Sequence, residues 1–254
     1  MNIENLKHYF SFLWVFVEKE FKVRYKRAIF GFLWVILNPL LQMLIMGAIF
    51  SIFIKIPDYF LFLFTGLLPW SFFVLALSKA VSSFVNAESL IQKAKFPKEI
   101  IPLSIIFSDF IHLITSWVLF LVFLVITSRF YLPGIFLLIL GIIWLLVFTI
   151  GLSMIMATLQ VKYRDISFFV KSILILWFYA TPILYDLTMI PKKLYIVFSF
   201  NPLTSVFEIF HLAVLNKGVL IDEILIINFL LTLLIVVFGV VIFARENKYF
   251  VDWL

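Results

Sequence analysis

The 254-residue chain contains no cysteine, which removes disulfides, thiolate metal sites and cysteine nucleophiles together. Charge is almost as scarce. Asp, Glu, Lys and Arg make up 13% of the residues, against about 25% in an ordinary soluble domain. Catalytic signatures are also missing. There is no Gly-x-x-x-x-Gly-Lys-Ser/Thr, so the chain does not bind ATP through a Walker loop. Gly151-Leu152-Ser153 begins like a serine elbow, but Met154-Ile155 follows where a closing glycine is needed. No His-Glu-x-x-His occurs, and His8, His112 and His211 are scattered, so no metal site is expected. Internal repeats, low-complexity tracts and a soluble domain are absent too.

What is abundant is apolar surface: 65% of the residues, with a mean hydropathy of +1.18. One soluble core of this size cannot bury so much, and disorder is excluded for the same reason. The chain reads as an integral membrane protein. A helix needs about 20 apolar residues to cross the hydrocarbon. Residues 28–54, 59–78, 110–128, 131–161 and 224–244 carry no charge, and a weaker run from Ile166 to Tyr185 is broken by Lys171 and Pro182. Six spans are expected, at 30–54, 59–82, 102–128, 134–160, 167–185 and 224–244. The runs are uniformly apolar rather than alternating, which argues against a barrel.

Two regions fit no span. Tyr9 to Val17 is apolar but short and leads into the basic stretch Lys19 to Arg27, which suits an amphipathic helix in the membrane interface over residues 1–29. In 186–223, Asn201-Pro202 divides two apolar halves, each too short to cross. An external re-entrant helical hairpin is expected there. Most of the 20 lysines and arginines then fall on one face, within 7–27, 93–98, 162–164 and 245–248. Lys55, Arg129, Lys192, Lys193 and Lys217 fall on the other. By the positive-inside rule both termini, including the tail 245–254, are cytoplasmic. The net charge of +6 is assigned to this topology, and no nucleic acid is expected.

Polar residues inside apolar runs are the candidates for function. Trp34, Asn38 and Gln42 recur every four residues and share one helix face beside Pro39. They are either glue between helices or one wall of a pathway. Asp109 and His112 lie three apart and can face each other, as a structural pair or as a proton relay. Trp70, Phe73, Trp177 and Tyr179 lie in or beside proline-bearing spans. Aromatic faces stack on the apolar faces of sugar rings, so an aromatic lining suits a sliding carbohydrate polymer. The alternative for each is contact with lipid.

The segment from Asn86 to Leu103 reads as a short amphipathic helix, then Lys95-Phe96-Pro97-Lys98 and a return to the membrane. It resembles the coupling region of the membrane subunits of type-two ATP-binding-cassette exporters, closest to the polysaccharide exporters. Arg24-Tyr25-Lys26-Arg27 followed by Gly31-Phe32-Leu33-Trp34 and Asn38-Pro39 resembles the family's approach to its first span. Gly66-Leu67-Leu68-Pro69-Trp70, Tyr163-Arg164-Asp165-Ile166, Thr181-Pro182-Ile183-Leu184-Tyr185 and Asn201-Pro202-Leu203 follow in the family's order.

The resemblance implies a single permease domain over 1–254, working in the bacterial inner membrane as a homodimer with a channel between subunits. This chain would not be an enzyme. A separate ATPase subunit, in two copies, would bind ATP and Mg²⁺, and this chain would hold no cofactor. Asn86, Glu88, Leu90, Ile91, Lys93 and Lys95 would seat the coupling helix in that ATPase. Arg24, Lys26 and Arg27 would attract the diphosphate head group of a lipid-linked polysaccharide of the O-antigen kind. Exporters of teichoic acid, drugs or lipids lie in the same superfamily. A proton-coupled transporter using Asp109 and His112, and a lipid-modifying enzyme, are the rivals from other classes. On the aromatic-lining reading, Trp34→Ala and Trp177→Ala slow export without blocking assembly. Normal export in both variants would remove that reading.

Overall fold

The structure, a computed structural model, describes residues 3–25, 31–216 and 221–254. Among them every regular element is helical. In order they are α1 (Ile3–Tyr25), α2 (Trp34–Phe50), α3 (Tyr59–Val81), α4 (Ser83–Asn86), α5 (Glu88–Lys93) and α6 (Ile100–Ile126). There follow α7 (Gly134–Lys162), α8 (Ile166–Ala180), α9 (Tyr195–Ser199), α10 (Thr204–Leu215), α11 (Asp222–Glu246) and α12 (Phe250–Trp253). In uninterrupted Leu, Ile, Val and Phe, the helix is the structure that satisfies every backbone polar group within one segment without water.

The helices end where local chemistry requires. Pro182 disfavours helical backbone at the residue before it. Thr181 is accordingly extended, and α8 stops at Ala180. Asn216 closes α10 in the left-handed conformation, at φ 51°, a position asparagine tolerates.

Among the described residues four helices are long and apolar enough to cross a membrane: α3, α6, α7, and the 222–253 segment containing α11. The bounds of α3, α6, α7 and α11 itself follow the expected spans within a few residues. Helices α2 and α8 are shorter, at 17 and 15 residues. In the first case a 3-10 turn at Gly31–Leu33 precedes the helix, and in the second Pro182 truncates it. The 186–223 region does contain two short helices, α9 and α10, separated at Asn201-Pro202.

The main core is built around α3, whose apolar stretch is 72% buried and which packs against α2, α6, α7, α8 and α10. Phe62, Phe73, Phe148, Phe207 and Phe210 are fully enclosed. Helix α10 is buried along almost its whole length between α3 and α7. By contrast α11 is largely exposed and rests on α7. Two polar pairs cross between helices within this apolar mass. Trp144 donates its indole N–H to Thr232 at 2.8 Å, and Asn228 donates to Ser205 Oγ at 2.9 Å.

A second, smaller core lies apart from the first. Phe84, Ile91, Met154, Val161, Phe243 and Phe250 join α4, α5, α7, α11 and α12. A third cluster, Leu13, Val17 and Ile100, seats α1 on the start of α6.

The α7–α11 contact depends on two facing glycines. A Cβ on Gly239 would lie 2.5 Å from the carbonyl oxygen of Gly151, and one on Gly151 would lie 2.8 Å from Val236 Cα. Backbone cannot yield as a side chain can. Gly239→Val is therefore expected to cost about 1–3 kcal/mol, the usual range for overpacking. A lowered Tm in detergent would show it. An unchanged Tm would mean that α11 can slide on α7 freely.

Candidate functional site

Helices α2, α3 and α8 leave a furrow between them. A cavity of about 530 Å³ is lined by Asn38 and Gln42 of α2, Trp70, Ser71 and Ser78 of α3, and Lys171 and Tyr179 of α8. A second cavity of about 370 Å³ shares Asn38, Ser71 and Leu75 with it and continues to Trp34, Arg24, Lys79, Asp109 and His112. The shared residues make the two a single furrow, whose mostly apolar lining is studded with polar side chains. The four-residue repeat of Trp34, Asn38 and Gln42 puts all three on the furrow side of α2, as its helical period requires.

At one end of the furrow stands an ion cluster. Asp109 is buried in α6, with 1% of its side chain exposed. Its Oδ1 takes the guanidinium of Arg24 from α1 and the ammonium of Lys79 from α3 at 3.3 Å. A lone charge in this setting is costly, and paired charges are the usual remedy. His112, one turn further along α6, stacks on Phe21 of α1 at 4.9 Å between ring centres. The ionic partners of Asp109 thus come from two other helices. Sequence reasoning missed Lys79, which reads as a snorkelling residue at the end of a span. Its place in the last turn of α3 favours a cation through the helix dipole and was the available signal.

The other candidate aromatics divide by burial. Trp34 and Tyr179 are 41% and 57% exposed and can present a face to the furrow. Trp70 is buried, but its edge reaches the cavity beside Phe178. Phe73 has no exposed surface and packs against Trp70, Phe148 and Trp177. Its ring belongs to the core rather than to a lining. Trp177 also turns inward, and its indole N–H donates to Asn201 Oδ1 at 2.8 Å. Asn201 in turn donates to Ala180 O at 2.9 Å and Thr181 Oγ1 at 3.1 Å, and accepts from the Leu203 N–H at 3.1 Å. Trp177 and Asn201 therefore fasten the end of α8 to the approach to α10. Trp177 is not among the residues lining either cavity, and its polar edge is committed to Asn201.

The stretch expected as the coupling helix, Asn86 to Lys95, holds the six-residue helix α5, preceded by the last residue of α4. Asn86 ends α4, Ala87 breaks the regular backbone at φ −104° and ψ 17°, and Glu88 begins α5. Ala94 is extended, so Lys95 lies beyond the helix. Ile91 is buried, Leu90 and Glu88 are half-buried, and Lys93 and Lys95 are exposed. Lys98 anchors the following loop. It donates to the Asn247 carbonyl at 2.6 Å and stands 5.5 Å over the Phe250 ring. Burial pulls its pKa below the ordinary lysine value, with Asp252 acting in the opposite sense. Lys26 and Arg27 lie outside the described residues.

Comparison with known proteins bears on the whole chain. A family model described as ABC-2 type transporter matches residues 11–215. Two O-antigen export system permease proteins RfbA of Klebsiella pneumoniae are 36% and 35% identical over 254 residues, 98% of this chain and 96% of their own length. RfbA of Myxococcus xanthus is 31% identical over 207 residues, 80% of each chain.

The ion cluster yields a direct expectation. Asp109→Asn leaves Arg24 and Lys79 facing one another without their counter-anion. Breaking a buried pair costs roughly 3–5 kcal/mol. Lys79 is 41% exposed and can turn towards water, so about half that loss is expected. Hydrogen exchange in residues 3–25 should accelerate as α1 loosens from α6. Unchanged exchange there would mean that Leu13 and Val17 hold the helix without the ion pair.

Proposed function

The chain belongs to the ABC-2 type transporter family, and from that premise we propose that it exports a lipid-linked polysaccharide of the O-antigen kind as a homodimer driven by a separate ATPase. It is a multi-pass membrane subunit of an ABC exporter and not itself the catalytic one. The names of the relatives favour O-antigen over teichoic acid, drugs or lipids as the substrate class.

The observation that carries this reading is the furrow and the polar side chains set in it. Asn38, Gln42, Lys171 and Tyr179 open onto the outside of an apolar bundle. Polar groups at membrane depth must face protein or a water-filled passage. One chain supplies half a wall, and a second copy related by a two-fold axis closes it. Tyr179, Trp34 and the edge of Trp70 then offer stacking faces to sugar rings, with Asn38 and Gln42 as hydrogen-bonding partners. Stacking tolerates changes of register, which a sliding polymer requires.

The remaining parts take their places around that channel. In this reading α2, α3, α6, α7, α8 and α11 cross the inner membrane, both termini are cytoplasmic, and α9 with α10 forms the external re-entrant hairpin. Helix α1 lies at the cytoplasmic interface, where Arg24, with Lys26 and Arg27, attracts the diphosphate of the lipid carrier. Helices α4 and α5 seat in the ATPase, which binds ATP and Mg²⁺. Nucleotide-driven movement of that seat lets the two subunits grip and release the polymer in turn.

The deciding experiment is purification from native membranes in mild detergent, with bound chains identified by mass spectrometry. The expected result is a Walker-motif ATPase in equal ratio and a dimeric membrane subunit. Repeated recovery of an intact dimer alone would overturn the reading and return weight to proton coupling at Asp109 and His112. Gln42→Ala and Tyr179→Ala are expected to lower export several-fold at unchanged ATPase recovery, measured as surface glycan. Full export in both would remove the furrow as the passage.

A further inference from the structure

Helix α5 has six residues and α4 has four. Helices so short do not persist in water by themselves, because nucleation costs more than a turn or two of hydrogen bonds returns. A lever must nevertheless be stiff. The second core shows what stiffens this one. Phe84 of α4 and Ile91 of α5 are both buried there, and the residue that closes over them is Phe250, which has no exposed surface. Its ring lies 4.7 Å from Phe84 and 6.0 Å from Phe243 of α11. Phe84 and Phe243 stack on each other at 5.9 Å.

Three further contacts hold the 247–254 segment in place. Lys98, in the loop after α5, donates to the Asn247 carbonyl at 2.6 Å. The same ammonium stands over the Phe250 ring at 5.5 Å. Lys162, at the end of α7, stands over Trp253 at 5.4 Å. The segment therefore touches α5, the loop that follows it, α7 and α11 at once.

We infer that residues 247–254 form a strut, with Phe250 as the positioning residue that passes movement of α4–α5 to α7 and α11. The inference rests on the reading of α4–α5 as the seat of the ATPase. Without the Phe250 ring, α5 keeps its exposed face for the partner but loses its backing. A push on α5 then reaches the bundle only through the contacts that α4 itself makes, and is weakened. The strut acts after ATPase binding, so its loss separates hydrolysis from movement.

The absence of cysteine makes the test direct. The full-length chain carrying Ser78→Cys in the furrow is reconstituted with the ATPase that co-purifies with it. The rate of maleimide labelling is read with and without ATP, Mg²⁺ and vanadate, beside the rate of ATP hydrolysis. In the Ser78→Cys parent, nucleotide changes the labelling rate. Phe250→Ala is expected to keep hydrolysis within about two-fold while the labelling response falls at least five-fold, and Phe250→Leu restores most of it. A labelling response in Phe250→Ala equal to the parent's overturns the strut. Loss of the ATPase from a folded Phe250→Ala chain also overturns it, by making the segment a docking contact. If Phe250→Ala does not fold, Lys98→Met decides by the same readout, since it removes the bond to Asn247 and keeps the apolar stem. A parent that neither retains an ATPase nor responds to nucleotide refutes the coupling reading itself, and the strut falls with it.

Discussion

A carboxylate enclosed by apolar helices must find cations, and Asp109 draws them from two separate parts of the chain. Arg24 brings the last turn of α1, and Lys79 brings the last turn of α3. The three charges thereby fix the corner where α1, α3 and α6 meet, and the furrow starts at that corner. The geometry of α2 follows, because Trp34 and Asn38 complete the same cavity. An apolar seat alone would let α1 slide along α6. A shared carboxylate oxygen sets one register.

Pairing of polar groups away from water also joins helices elsewhere in the molecule. Trp177 and Asn201 bind the end of α8 to the approach to α10. Trp144 with Thr232 and Asn228 with Ser205 hold α11 to its neighbours. Those pairs lie inside the bundle. The furrow is different, because Asn38, Gln42, Lys171 and Tyr179 line a space that opens outward. That contrast, rather than the number of aromatics, distinguishes a passage from a core. The basic end of the bundle follows a further principle. Its short helices are held by a separate aromatic cluster, which joins them to α7 and α11 and, through α7, to the main core around α3.

Legibility differed from residue to residue for physical reasons. The repeat of Trp34, Asn38 and Gln42 was readable because the helical period forces one face. Phe73 and Trp177 were not separable from Tyr179, since all three are aromatics in apolar runs and only packing decides which turn inward. His112 was readable as a polar neighbour of Asp109 by spacing alone. The cations that pair with Asp109 come from α1 and α3, which no local pattern connects to α6. The break at Ala87 was also hidden, because no proline or glycine marks it.

By itself the sequence determined that this chain is a membrane protein, roughly where its long helices lie, and which family it resembles. Those properties depend on uncompensated apolar runs, on proline, and on short local motifs, all of which act within a few residues. Tertiary structure alone decided which polar groups pair, which aromatics face a cavity, and how residues 247–254 lock onto α4 and α5. Such contacts join distant segments: Lys98 and Asn247 are 149 positions apart, and Phe84 and Phe250 are further apart still. Their partners are chosen by the way whole helices pack, and that choice has no local signature.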